Sequence, residues 1–291
     1  MKKNELSGYL IFLLLFFACF LIWQSLPTKS DYSLPKVIWQ FWDKEELPPM
    51  IQMIKDNNQK KLEGWTIRYL NENTVATYVP PFEFPPGYSK LEAAHKADWL
   101  RLYLLKKYGG VWMDASIIIN DPNAINALRT QSIQQESELT LFQFKTPINV
   151  ENWFIMAPEK SRMIKAWFTE YDTAIRMEFL NYKKMLWKEG VNTSCGRKND
   201  KIEDVYFTQH SCMQRILQKG IVRNPNIIVN KAEETMLKVD FLCDNKKEVE
   251  TKECLIKQYS DFESLRQLPY IKINGLNRKL PVNWKQYLET N

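Results

Sequence analysis

The sequence predicts an α/β protein, helices layered on a sheet with parallel strands, and three observations carry that expectation. Short runs rich in β-branched and aromatic residues alternate with helical patterns, in the order strand, helix, strand, helix, strand, over residues 37–119. Gly109-Gly110 ends the second of those helices just ahead of another apolar run. A composition of 45% hydrophobic and 25% charged residues over 291 residues is that of a globular chain, and it excludes a disordered, collagen-like or disulfide-held one.

The first 26 residues stand apart from the globular pattern. Tyr9 to Trp23 reads YLIFLLLFFACFLIW without a charge, preceded by Lys2 and Lys3. No small-x-small cleavage site follows, and Leu6 to Leu26 approaches the roughly 20 residues that span a bilayer. The expectation is a signal-anchor over residues 1–26 with a cytosolic N-terminus, a short stem over 27–34, and one globular domain over 35–291 outside the cytosol. That places the domain on the lumenal side of the Golgi or endoplasmic reticulum in a eukaryote, or in the cell envelope of a bacterium.

Each later element has its own signal. Val37-Ile38-Trp39-Gln40-Phe41-Trp42 reads as a strand, and Pro48-Pro49 opens a helix with Ile51 and Ile54 on its apolar face. Trp65 to Leu70 alternates as a second strand, and Pro80 to Gly87 is loop. Ser89 with Glu92 has the form of a capping box, followed by Leu91, Ala94, His95, Asp98, Leu102 and Leu105 on one helical face. Val111-Trp112-Met113 and Ile117-Ile118-Ile119 flank Asp114-Ala115-Ser116, as one apolar strand interrupted by polar residues. Strands are expected at Thr140–Lys145, Trp153–Met156 and Ile227–Val229, with helices at Ser161–Lys188 and Glu203–Lys219. Leu265 to Asn291, with Pro269, Gly275 and Pro281, reads as a wrapped tail with little regular structure.

Charge and cysteine narrow the classes. Forty Lys and Arg against 34 Asp and Glu give +6, with the basic residues scattered, so nucleic acid is not the expected partner. Cys195, Cys212, Cys243 and Cys254 could pair in an oxidising lumen or remain thiols. Cys243 and Cys254 bracket a polar stretch that a disulfide could close as a hairpin or loop. Asn192-Thr193-Ser194 is a glycosylation sequon if the domain is lumenal.

The chemistry concentrates in His95 to Asn120, HKADWLRLYLLKKYGGVWMDASIIIN. Asp98 and Arg101 are spaced to meet on one helix face at the edge of an apolar core. Asp114 is a carboxylate in an apolar strand, so it needs either a cationic partner such as Arg101 or a bound divalent cation. It sits where a strand of an open α/β sheet would end, the place where ligands collect.

This segment, with the first strand from Pro35 to Trp42 and a later one at Asn152 to Ala157, resembles glycosyltransferases of the sugar-binding DXD-motif class. The resemblance is to the capsular polysaccharide synthesis proteins and the yeast-type α-mannosyltransferases of glycosyltransferase family 32. It implies a GT-A fold, a Rossmann-like sheet that binds a UDP- or GDP-sugar, and transfer to a glycan or glycolipid acceptor, with retention of configuration. Asp98 and Arg101 would hold the donor, with Trp39, Gln40, Gly110 and Ser116 as further donor-binding candidates. Asp114 would bind Mn²⁺ or Mg²⁺, and Arg101 with that metal would stabilise the leaving diphosphate. The second acidic position of the motif is Ser116. His210 is therefore a candidate to complete the metal, beside the alternative of a helical His packed on Phe207. Trp39 and Trp42 lie on opposite faces of their strand, so one of them is expected to line the nucleotide pocket.

Two rivals remain open at this stage. A non-catalytic glycan-binding module on a degenerate transferase fold is favoured by Ser116. A metal-dependent phosphodiester hydrolase would need more clustered carboxylates than the sequence supplies.

Overall fold

The structure is a computed structural model that describes residues 32–144, 150–194, 201–202, 204–244 and 247–290. The expected anchor at Leu6–Leu26 lies outside the described residues. Among the described residues no helix is long and apolar enough to cross a membrane.

The main sheet has six strands in the order β2-β1-β3-β6-β5-β7: β1 Val37–Phe41, β2 Thr66–Leu70, β3 Gly110–Met113, β5 Leu139–Gln143, β6 Val150–Ala157 and β7 Ile227–Lys231. It is mixed rather than parallel. β1 runs parallel to β2 and β3, and β5 parallel to β7, but β6 is antiparallel to both β3 and β5. The strand–helix–strand pattern of residues 37–113 holds for parallel β1, β2 and β3. It gives no signal for β6, which enters from the opposite direction.

β1 and β3 are almost wholly buried, as expected of central strands covered on both faces. Helix α1 (Pro49–Lys61) starts on Pro49, whose fixed φ suits the first turn. Helix α2 (Ala93–Tyr108) is buried nearly all round from His95 to Leu105, so it is an interior helix with no solvent stripe. Its first residue is Ala93, the flanking Glu92 caps nothing with its side chain, and Ser89 lies in a separate 3₁₀ turn. The capping box is not formed. The helix stops at Gly109 and Gly110, both at positive φ. A Cβ on Gly110 would sit 2.6 Å from the Val37 carbonyl oxygen, so this position needs glycine for both its dihedral and its space.

The apolar run 111–119 is not one strand. It divides into β3 and β4 (Ile117–Ile119), and β4 leaves the main sheet to pair antiparallel with β8 (Tyr270–Lys272). The tail after Leu265 is therefore structural. It contributes β8, a short helix α10 (Trp284–Glu289) and apolar side chains to a second core beneath α1. The opposite edge of β4 is satisfied by a side chain: Asn58 on α1 donates to the Ile117 carbonyl at 2.7 Å and accepts from the Ile119 amide at 2.9 Å. A buried amide used this way does the work of a strand partner.

The remaining elements are α3 (Pro122–Gln134), α4 (Arg162–Arg176), α5 (Phe179–Lys188), α6 (Thr208–Gln218), α7 (Lys238–Cys243), α8 (Glu248–Ser260) and α9 (Phe262–Arg266). The single helix expected over 161–188 is broken where Glu178 takes a φ of 63°. The next begins at Thr208, later than expected. A Cys243–Cys254 disulfide joins α7 to α8, so much of the stretch it closes is helical rather than a hairpin. Cys212 is a buried free thiol, and Cys195 lies outside the described residues.

Candidate functional site

A cleft of about 840 Å³ opens where β3 ends and β4 begins. Asp114 occupies that gap. Its amide donates to the Trp153 carbonyl at 2.9 Å, and its carbonyl accepts from the Ile117 amide at 3.0 Å, so a tight turn anchored on β6 presents the carboxylate to the cleft.

Asp98, one helical turn before Arg101 on α2, is heavily coordinated. Arg101 Nη1 donates to its Oδ1 at 2.7 Å, and Asn152 Nδ2 donates to the same oxygen at 3.0 Å. Tyr171 donates to Oδ2 at 3.4 Å. Gln209 ties the group together, accepting from Arg101 at 3.1 Å and from Asn152 at 2.6 Å while donating to the Asp98 carbonyl at 2.6 Å. Burial, and then the Asp98 charge, push the Tyr171 phenol far above its ordinary range, so it stays a donor.

From Asp98 the charges continue in a line. Arg101 Nη2 donates to Asp114 Oδ1 at 3.4 Å, and Lys272 Nζ donates to Asp114 Oδ2 at 3.1 Å and to Ser116 Oγ at 2.8 Å. The indole of Trp112 adds a donor to Asp114 Oδ1 at 3.0 Å and lies under the Arg101 guanidinium. Side-chain exposure is 9% at Asp98, 6% at Arg101, 26% at Asp114 and 10% at Lys272, so Asp114 is the member most open to a ligand. Burial alone would raise the Asp114 pKa. Lys272 and then Arg101, with the Trp112 indole, outweigh it and hold the carboxyl below its usual range.

The expected site residues divide accordingly. Asp98, Arg101, Asp114, Ser116 and His210 all line the cleft. Trp39, Gln40 and Gly110 do not. Trp39 donates its indole N–H to the Gly109 carbonyl at 2.9 Å and packs between Tyr78 and Tyr108. Gln40 is buried, and Gly110 is fixed by its contact with β1. Of the two tryptophans, Trp42 reaches the cleft, with the Arg278 guanidinium 5.2 Å from its ring centroid. His210 packs edge-on against Phe207, and among the described residues no three His, Cys, Asp or Glu side chains cluster closely enough to hold a metal ion.

Five cleft residues have no expectation behind them, Lys272, Arg278, Asn152, Glu151 and Asp240, nor has the buried Gln209 that braces Arg101 and Asn152 behind the cleft. Lys272 and Arg278 were hidden in a segment that reads as irregular tail. Asn152 and Gln209 lie inside segments that could be picked out, but nothing marks a lone amide as part of a site. Asp240 accepts from Tyr259, Asn274 and Asn277 at 2.9–3.0 Å and holds the cleft's far wall together. Glu151 accepts from the Trp153 indole at 2.8 Å, and burial pushes its pKa up to about 7.

The family model of the capsular polysaccharide synthesis proteins matches residues 17–183 of this chain. O-glycosyltransferase braB of Annulohypoxylon truncatum is 28% identical over 160 residues, covering 49% of this chain and 38% of that one. O-glycosyltransferase PaGT of Phomopsis amygdali is 31% identical over 107 residues, covering 32% and 25%. The chain thus spans well under half the length of either relative. A crystal structure of a glycosyltransferase involved in the glycosylation of the major capsid of PBCV-1 aligns over 88% of this chain and 98% of its own, at 12% identity and a TM-score of 0.37. Similarity that faint bears on neither fold nor activity.

Proposed function

The chain belongs to the capsular polysaccharide synthesis protein family, and from that premise we propose that it is a glycosyltransferase with a GT-A-like fold, moving a sugar from a nucleotide-sugar to a glycan or glycolipid acceptor. The observation that carries this reading is the Asp98–Arg101–Asp114 line at the strand end, inside a cleft large enough for such a donor. The O-glycosyltransferase relatives agree with it over the part they share. The apolar N-terminal block would hold the enzyme at a membrane where acceptors are assembled. Retention of configuration belongs to the same proposal.

In the transfer, the bond between the sugar's anomeric carbon and the diphosphate oxygen breaks, and the nucleoside diphosphate leaves with the electron pair. An acceptor hydroxyl forms the new bond, and its proton ends in solvent. The protein must therefore orient the sugar and neutralise charge on the leaving oxygen. Asp98, whose carboxylate accepts from three side chains, is placed to accept from donor hydroxyls as well. Arg101 has both terminal nitrogens committed to Asp98, Gln209 and Asp114, so it acts as a positioning group for the two carboxylates. The Mn²⁺ or Mg²⁺ of the family resemblance does not fit Asp114 as its neighbours stand, because each of its oxygens already faces a cation.

The test is a screen of the full chain with radiolabelled UDP- and GDP-sugars, read as donor hydrolysis or transfer. Turnover that Asp114→Asn reduces at least ~100-fold supports the proposal. An absence of turnover and of nucleotide binding across these donors overturns it, and would leave a glycan-binding module as the reading.

A further inference from the structure

We infer that Lys272 is the built-in cation of the donor site, standing between Asp114 and Ser116 where a divalent ion would sit, so that diphosphate binding needs no metal. This rests on the glycosyltransferase reading and adds to it the group that receives the donor's diphosphate.

Lys272 is held from its own backbone. It pairs with Ile117 in the β4–β8 ladder, its amide donates to the Met236 carbonyl at 2.9 Å, and the next amide, Ile273, donates to the Ser116 carbonyl at 3.0 Å. The strand that carries the ammonium is thus tied directly to the turn that carries Asp114 and Ser116. The side chain cannot swing away without breaking contacts to both.

The ammonium has three donors. Two go to Asp114 and Ser116. The third has no partner among the described residues, on a side chain that lines the cleft. Arg278 lines the same cleft over the ring of Trp42 and adds a second positive group. A divalent ion on Asp114 would have to displace an ammonium from a carboxylate oxygen that it already holds at 3.1 Å. A second carboxylate at position 116 would favour the ion in that competition. The serine there accepts from Lys272 and gives the ion no charge.

In the transfer, the breaking bond joins the anomeric carbon to the diphosphate, and the electron pair stays on the phosphate oxygen. Lys272, held in place by Asp114 and Ser116, donates to that oxygen. No proton need leave the ammonium, and no further reactant is required.

The test uses the full chain and isothermal titration calorimetry with UDP and GDP, in EDTA and in Mn²⁺. The expected result is the same Kd in both solutions for the wild type. Lys272→Met should weaken the diphosphates at least tenfold while binding of uridine or guanosine is unchanged, and Lys272→Arg should recover most of the loss. Nucleoside binding by Lys272→Met reports that the variant is folded. Binding by the wild type that EDTA abolishes and Mn²⁺ restores overturns the inference while leaving the glycosyltransferase reading intact, and needs no variant at all. Wild-type affinity in Lys272→Met overturns it equally. If the wild type binds neither diphosphate in either solution, the glycosyltransferase reading itself fails, and this inference with it.

Discussion

Arg101 reaches Asp114 from α2 with one terminal nitrogen, at 3.4 Å, while the other holds Asp98 at 2.7 Å. One guanidinium therefore sets the separation of the two carboxylates that line the cleft. Lysine could keep the charge but could not span both, because its donors radiate from a single atom.

Removal of Arg101 should be costly in stability as well as activity. Arg101→Met strands the 9%-exposed Asp98 side chain without its counter-charge. Breaking a buried pair in this way costs about 3–5 kcal/mol, which for a domain of this size lowers Tm by on the order of 10 °C. Arg101→Lys should lie between the variant and the wild type. Thermal unfolding followed by circular dichroism checks both, and an unchanged Tm in Arg101→Met would show that the bridge is not structural.

Asn58 should matter more than its place on a helix suggests. Asn58→Leu keeps the branched shape of the side chain but leaves the Ile117 carbonyl and Ile119 amide buried without their side-chain partner. Each such group costs about 1–3 kcal/mol. Hydrogen exchange at Ile119 should speed up in the variant, while exchange in β1 stays slow. Nucleotide affinity should fall too, since β4 anchors the turn that carries Asp114.

Glu151 predicts a fall in stability as the solution becomes more basic. Its folded pKa is raised from 4.5 to about 7, first by burial. Between those values the folded state holds a proton that the unfolded chain releases, so the contribution is complete below pH 4.5 and is lost as pH rises through 7. The full span is about 3 kcal/mol. Denaturant unfolding of wild type and Glu151→Gln at pH 5 and pH 8 should show the variant gaining on the wild type at the higher pH. Parallel pH profiles would contradict the shift.

The disulfide is the fourth test. Cys243 and Cys254 are 11 residues apart, and closing a loop of that size constrains the unfolded chain by about 3 kcal/mol. Cys243→Ser should lower the denaturant midpoint by a corresponding amount. The disulfide joins α7, which bears Asp240, to α8, so the far wall of the cleft should loosen with it, and nucleotide affinity should drop modestly.

What could be read from sequence follows from how local each signal is. β1, β2 and α2 announce themselves in windows of a few residues, through β-branched runs, a helical period and a double glycine. Asp98, Arg101 and Asp114 could be found because they sit inside those windows. Trp39 could not be told from Trp42, since both faces of a central strand are buried and alternation does not say which face meets the cleft. Lys272 was beyond reach. It is 158 residues from Asp114, in a three-residue strand whose signal is lost between Pro269 and Gly275, and it lies outside the family match to residues 17–183. The antiparallel entry of β6 is likewise a property of long-range pairing, with no trace in its own sequence.

The pairing of β4 with β8 also orders events in time. A ribosome releases α2, β3 and the Asp114 turn long before Lys272, so the nascent chain carries two acidic side chains bridged by a single arginine until β8 emerges and docks. Until then the site lacks its ammonium, and the long loop that must close to bring it in makes docking a late step. A chain interrupted before residue 270 would retain all six strands of the main sheet but not the cation. Immature or truncated copies would therefore be incompetent for transfer, and sugar donors would be spent only by chains whose last strand is in place.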